Sequence, residues 1–274
     1  TFGSYNLKVD GSDVTGYLRT RDISNELYAV VLDTENLYGQ YWNGITTSGS
    51  TVVGGDGTWK MDITDHNWLD VDTSTNVGWG GSKAIFAGSA GVVTVDDSDP
   101  TLHGVDFHVL EFQTGGYTIK GPGVLSISPY ALTTGVIQVN NAGIIATISA
   151  VIVDGTTKDA THTVANNITK RGNGTLILTG PNTYTGLTTV EAGILQIGDG
   201  SSADGTLGAT SAVKVDAGAT LAFAPYTTGA SSAIAITGNG GVLVDGSAAG
   251  VIALSGSNTY QGGTRLKSGT LAIA

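Results

Sequence analysis

The chain repeats itself. Gly174–Ile197 (GTLILTGPNTYTGLTTVEAGILQI) aligns without gaps on Gly250–Ile273 (GVIALSGSNTYQGGTRLKSGTLAI) at a constant offset of 76 residues. The matches fall on turn glycines (Gly180 with Gly256, Gly186 with Gly262, Gly193 with Gly269). They also fall on Asn182-Thr183-Tyr184 against Asn258-Thr259-Tyr260, and on alternate aliphatics such as Leu178 with Leu254 and Leu195 with Leu271. A sequence that recurs with this pattern describes a supersecondary unit stacked on its own kind. Between the copies lie AVKVDAG, TLAFA, AIAITGNG and GVLVDG, short alternating runs that stop at Gly, Asp or Asn. A rung of about 20–25 residues with short strands and no helix specifies a parallel β-helix. The offset is close to three such rungs.

Composition supports this fold class. Glycine supplies 42 of the 274 residues, 40% are hydrophobic and only 13% are charged. The acids are 19 Asp against 4 Glu, and Asp favours turns where Glu favours helix. An all-β chain is expected, and a helical or α/β enzyme is excluded. Period-two alternation turns Leu176, Leu178, Val190, Leu195, Ile197, Val213, Val215, Leu221 and Phe223 inward. By the same pattern Ile234, Ile236, Val242, Val244, Ile252, Leu254, Leu266, Leu271 and Ile273 also point into the core, with the intervening Thr, Ser and Lys outside.

The first part of the chain reads differently. All four tryptophans, Trp42, Trp59, Trp68 and Trp79, fall in one window, and the stretch from Trp59 to Gly80 is a long loop rich in Asp, Asn and Thr. The expected organisation is a β-rich N-terminal cap over residues 1–50 and irregular early rungs over 51–130. A regular β-helix over 131–274 follows, with repeats at about 172–198 and 248–274. No Pro/Ser-rich linker divides the chain, so one continuous solenoid is expected. Solenoid ends need atypical capping, and bulky aromatics make a natural plug.

Both copies carry G-x-L/I-x-L-x-G ahead of N-T-Y-x-G, then a T-x-V/L strand, then Gly followed by L-x-I. In these features the chain resembles the passenger regions of bacterial autotransporters and related giant surface proteins, which carry the autotransporter-associated β-strand repeat. The resemblance extends more loosely to Tyr41–Gly44, Gly55–Trp59, Asn67-Trp68 and Trp79–Gly88. It implies a right-handed parallel β-helix exported to the cell exterior for adhesion, aggregation or host contact. Such families usually end in an outer-membrane barrel, whereas this chain stops at Ala274 after the inward-type Leu271 and Ile273. Further rungs, a barrel-linked segment or another copy are the expected covers for that edge. The start at Thr1, without a leader pattern, suits a processed or excerpted piece.

Signatures of enzymatic passengers are weak. A serine-protease turn needs G-D-S-G, and the nearest string, Gly198-Asp199-Gly200-Ser201-Ser202, has another order within a polar loop. Asp96-Asp97 and His103-Gly104 supply residue types that polysaccharide hydrolases use. They stand only 7 residues apart, not about a rung apart, and no Arg-x-Lys follows. Asp199, Ser201 and Asp204, like Asp70, Asp72 and Asn76, alternate oxygen ligands, yet neither run has the bidentate Glu of a calcium loop. GGDGTWKMD at 54–62 is a lone partial match to a calcium-binding nonapeptide. Asx-turns account for all of these, and no catalytic residue, metal or cofactor is expected.

Trp42, Trp59, Trp68 and Trp79 are the glycan-contact candidates, since aromatic faces attract the apolar faces of sugars. The preferred alternative has them close the end of the core, because large aromatics are mostly buried. Tyr184 and Tyr260, beside Asn182 and Asn258, read as structural. A net charge of −11 and the absence of a basic cluster argue against nucleic acid, and no apolar run is long enough to insert in a membrane. The expected function is a non-enzymatic extracellular adhesin or stalk on a bacterial cell surface. Its partners would be host or bacterial surface molecules, protein or glycan, or further copies of itself. A structural subunit of a self-assembling extracellular fibre is the alternative, and a glycan-active β-helix enzyme a third.

Overall fold

Strands of three to six residues, each ended by Gly, Asp or Asn, can bury one face only by stacking on a neighbour of the same register. The computed structural model describes residues 39–62, 64–80, 83–96, 104–127, 134–155, 165–210 and 212–273, together with four strand segments ahead of them. It is a parallel β-helix, and no helix occurs among the described residues.

The chain divides into two compact units, 1–38 and 39–274, so the division falls inside the segment expected as a cap over 1–50. In the first unit Lys8–Val9 pairs antiparallel with Ser12–Asp13, and Tyr17–Ile23 with Glu26–Leu32. The second unit is the solenoid. Its rungs pass through three walls. The first wall is a ten-stranded sheet whose eight parallel strands run from Gly39–Trp42 through Val109–Phe112 and Asn167–Arg171 to Ile236–Gly238, with Trp68–Asp70 and Asn76–Val77 added antiparallel beyond Gly39–Trp42. The second is a nine-stranded sheet running from Gly57–Trp59 to Thr264–Ser268. The third is two separate three-stranded sheets, Val105–Phe107 to Val151–Val153 and Ala230–Ser232 to Thr270–Ile273.

Register stacks like on like. On the second wall Ile119, Ile148, Leu178, Ile197, Phe223 and Val244 form one inward column. On the first, Leu110, Ile137, Lys170, Val190 and Val215 form another. The expected inward residues up to Leu254 are buried, apart from the half-buried Ile234. Leu266 and Ile273 are 53% and 73% exposed, because their strands form the edges of the second and third walls.

The repeat offset is not three rungs. Leu178 reaches Val244 after three rungs, by way of Ile197 and Phe223, whereas its counterpart in the second copy is Leu254, one wall further round. The first copy's Thr175–Leu178 and Ile194–Ile197 lie in the second wall, and the second copy's Val251–Leu254 and Thr270–Ile273 lie in the third. Each copy omits one strand and crosses one wall as a loop, which shortens the rung. The motif therefore recurs rotated by one wall.

The core makes a direct prediction. Leu178→Ala should cost about 2–5 kcal/mol in denaturant unfolding, whereas outward Thr189→Ser should stay within about 0.5 kcal/mol. Equal losses would show that the inward and outward faces are misassigned.

Candidate functional site

The tryptophans meet at the N-terminal end of the solenoid. Trp42 comes from the first wall and Trp59 from the second. Trp68 lies on a short insertion, Trp68–Asp70, that pairs antiparallel with both Gly39–Trp42 and Asn76–Val77. Trp79 follows that insertion. All four are buried, Trp79 being the most exposed at 3%. Ring centroids lie 5.0 Å apart for Trp42 and Trp68, 5.1 Å for Trp59 and Trp68, and 4.4 Å for Trp68 and Trp79. The indole N–H of Trp42 donates to the Gly55 carbonyl and that of Trp79 to the Asp106 carbonyl, each at 2.8 Å. The rings pack on one another and on Phe86, and none presents an open face to a sugar.

The carboxylates of the polar loops are engaged by their own backbone. Asp199 Oδ1 accepts the amides of Ser201, Ser202 and Ala203 at 2.8, 2.7 and 3.0 Å, and its Oδ2 accepts the Ser202 hydroxyl. Burial pushes this carboxyl up, but those hydrogen bonds outweigh it and hold Asp199 below the usual carboxylate range. Asp70 Oδ1 takes the amides of Asp72 and Thr73, and like Asp199 it forms an Asx-turn. Asp204 Oδ1 instead takes the Tyr226 and Thr227 amides of the next rung, a bond between rungs and not a local turn. Asp96 lies 3.7 Å from Lys60, while Asp97 and His103 fall outside the described residues.

The side chains that join rungs come from the repeat itself. Asn182 Oδ1 accepts the Ile152 amide of the preceding rung at 2.9 Å, and its Nδ2 donates to the Thr206 carbonyl of the next at 2.7 Å. Asn258 Oδ1 likewise accepts the Ile236 amide at 3.0 Å. Tyr184 bonds the Thr188 hydroxyl at 2.9 Å, and Tyr260 bonds that of Thr264. Ile152 belongs to the third wall and Ile236 to the first, so the same clamp serves different walls. Asn182→Ala should cost about 1–3 kcal/mol, since it leaves buried backbone groups unpaired on two rungs. Asn258→Ala should cost less, and paired urea melts would show the order.

Lys170 was not among the residues singled out from sequence. It occupies a core column between Ile137 and Val190, with no exposed surface. Its ammonium donates to the carbonyls of Arg171 at 3.0 Å, Gly172 at 2.7 Å and Ala192 at 2.9 Å, so all three protons are placed and two rungs are joined. Burial pushes its pKa from 10.5 down to about 8. Between those values the unfolded chain holds a proton that the folded chain has released, so stability rises with pH. The urea midpoint of the wild type should therefore climb from pH 8 to 9.5 relative to Lys170→Met. Parallel curves would refute the assignment.

No group of three or more His, Asp or Glu side chains arranged for a metal occurs among the described residues. What the solenoid offers instead is its outer surface. The sequence comparisons agree with this plain architecture. A model of the passenger-associated-transport repeat matches residues 168–197 and 249–273. The chain carries this repeat twice. The first match begins ahead of Lys170, so the clamping lysine lies inside the repeat. The chain is also similar to the adhesin BmaC autotransporter of Brucella suis biovar 1 (strain 1330), with 32% identity over 267 residues. That match covers 89% of this chain and 7% of the relative, so the chain corresponds to a small part of a far longer protein. No solved structure gives a significant match. The chain thus resembles an autotransporter passenger region over most of its length.

Proposed function

We propose that this chain is a segment of an autotransporter passenger displayed at a bacterial cell surface, where it acts as a non-enzymatic adhesin. The observation that carries this reading is the 32% identity with an autotransporter adhesin across 89% of the chain. The solenoid supports it, because its rungs offer ranks of outward side chains about 4.8 Å apart along the axis. Partners are host or bacterial surface proteins or glycans, and contacts that are individually weak add through effective concentration when many copies face one surface. The net charge of −11 disfavours nucleic acid. A fibre built by head-to-tail growth is less well supported, because the Trp68–Asp70 and Asn76–Val77 strands lie antiparallel across the N-terminal edge of the first wall.

The test is retention of beads coated with this chain at graded density on bacterial and mammalian cell layers. Retention should rise steeply with density, while single molecules in solution bind weakly. Retention no higher than that of albumin-coated beads at every density would overturn the adhesin reading.

A further inference from the structure

Two tripeptides, Gly172-Asn173-Gly174 and Gly238-Asn239-Gly240, turn the chain at the same corner, from the first wall into the second. Their surroundings match. Gly172 and Gly238 adopt φ angles of 75° and 99°. A Cβ on either would strike a carbonyl of the preceding rung, that of Val139 or of Val215, and one on Gly174 or Gly240 would strike Cγ1 of the same valine. Gly174 donates its amide to the Val139 carbonyl and Gly240 donates its own to the Val215 carbonyl, each at 2.9 Å. The following rung closes over both: the Ile194 amide donates to the Gly174 carbonyl at 3.2 Å, and the Gly262 amide to the Gly240 carbonyl at 3.0 Å. Between the glycines, Asn173 and Asn239 are exposed. The third Asn-Gly pair of the chain, Asn43-Gly44, differs, since Asn43 is buried and its Oδ1 accepts the Val53 amide at 2.6 Å.

Packing admits only glycine after these two asparagines. Glycine is also the neighbour that leaves an asparagine side chain most open to attack by the main chain. We propose that Asn173 and Asn239 are latched modification sites, closed while the rungs are stacked and converted to aspartate and isoaspartate when a rung opens. In an open corner the amide nitrogen of the following glycine attacks Cγ of the asparagine. A bond forms between them, the Cγ–Nδ2 bond breaks, and the side-chain nitrogen leaves as ammonia with the proton of the glycine amide. Water then adds to either carbonyl of the cyclic imide and gives aspartate or isoaspartate. In the stacked corner that nitrogen is engaged. Its proton lies on the Val139 or Val215 carbonyl, and the rungs on either side keep its peptide plane from swinging toward Cγ. Each conversion adds one negative charge to a chain that already carries −11, and isoaspartate lengthens the main chain by one methylene. Gly174 then no longer meets Val139 in register, so an opened rung cannot close as before. The corner thus records an opening in covalent form. This inference stands apart from the adhesin reading, since it concerns only the chain's own backbone.

The experiment incubates the folded chain, and the chain unfolded in guanidinium chloride, in the same mildly alkaline buffer. Peptide mapping by mass spectrometry follows each asparagine, and an isoaspartate methyltransferase assay counts the rearranged product. Asn173 and Asn239 should lose ammonia at least about tenfold more slowly in the folded chain, because the reaction waits on local opening. Two variants open the corners one at a time. A Cβ added at Gly193 would stand 2.5 Å from the Gly174 carbonyl oxygen, and one added at Gly262 would stand 2.5 Å from that of Gly240. Gly193→Ala should therefore speed the loss at Asn173 several-fold and leave Asn239 at the wild-type rate, and Gly262→Ala should do the reverse. Circular dichroism melts report whether each variant folds. A further measurement needs no variant. As guanidinium rises toward the unfolding transition, the wild type should lose ammonia at each site in step with hydrogen exchange of the Gly174 or Gly240 amide. Equal rates in the folded and unfolded wild type, a folded Gly193→Ala that protects Asn173 as the wild type does, or amide exchange that rises without loss of ammonia would each overturn the proposal.

Discussion

Each rung of this solenoid can hydrogen-bond only to the rung before it and the rung after it. Every strand must therefore lie in register with both neighbours, and every departure from strand must return the chain to that register. The corners show how tightly this binds. Gly172 adopts a φ of 75°, and a Cβ there would stand 2.1 Å from the Val139 carbonyl of the preceding rung. Gly193, one rung on, adopts a φ of 65°, and a Cβ there would stand 2.5 Å from the Gly174 carbonyl. Only glycine fits a left-handed turn pressed against another backbone. The high glycine content follows from corners stacked on corners.

Where a wall is crossed without a strand, the backbone groups of the neighbouring rungs lose their regular partners. The repeat supplies replacements from side chains. Asn182 bonds an amide above and a carbonyl below, and Thr210 donates to the Gly186 carbonyl from the rung that follows. Lys170 serves similarly at the corner between the first and second walls, where three carbonyls converge. Its stem fills a position that aliphatics occupy in the rungs on either side, so one residue packs the core and satisfies the corner. Ahead of the second copy Val244 takes this place, opposite Leu266 as Lys170 is opposite Val190, and the Ser268 hydroxyl donates to the Gly246 carbonyl. The corner is satisfied there by different chemistry.

Alternation and turn glycines were enough to read the solenoid, its inward residues and the structural part played by Asn182 and Tyr184. Burial of the tryptophan rings followed from their size. The wall on which each strand lies could not be read, because period-two alternation marks inside from outside and carries no signal for position around the axis. For that reason an offset near three rungs was indistinguishable from three rungs plus one wall. Lys170 was hidden for a related reason. A lysine in a strand reads as outward, and only the stacking of Ile137, Lys170 and Val190 shows that this one turns in.

The rotation of the repeat sets an azimuth for whatever it carries. Where the 76-residue spacing continued, a third copy would be turned by one more wall, and only the fourth would point the same way as the first. Ten rungs would separate those two, about 48 Å along the axis at 4.8 Å per rung. A flat target would then meet the motif at intervals, like the treads of a spiral stair seen from one side. The walls, by contrast, run unbroken along the axis whatever the repeat does. A long molecule of this kind has a continuous signature along each side and an intermittent one from its motifs, and a partner could distinguish the two by its own length.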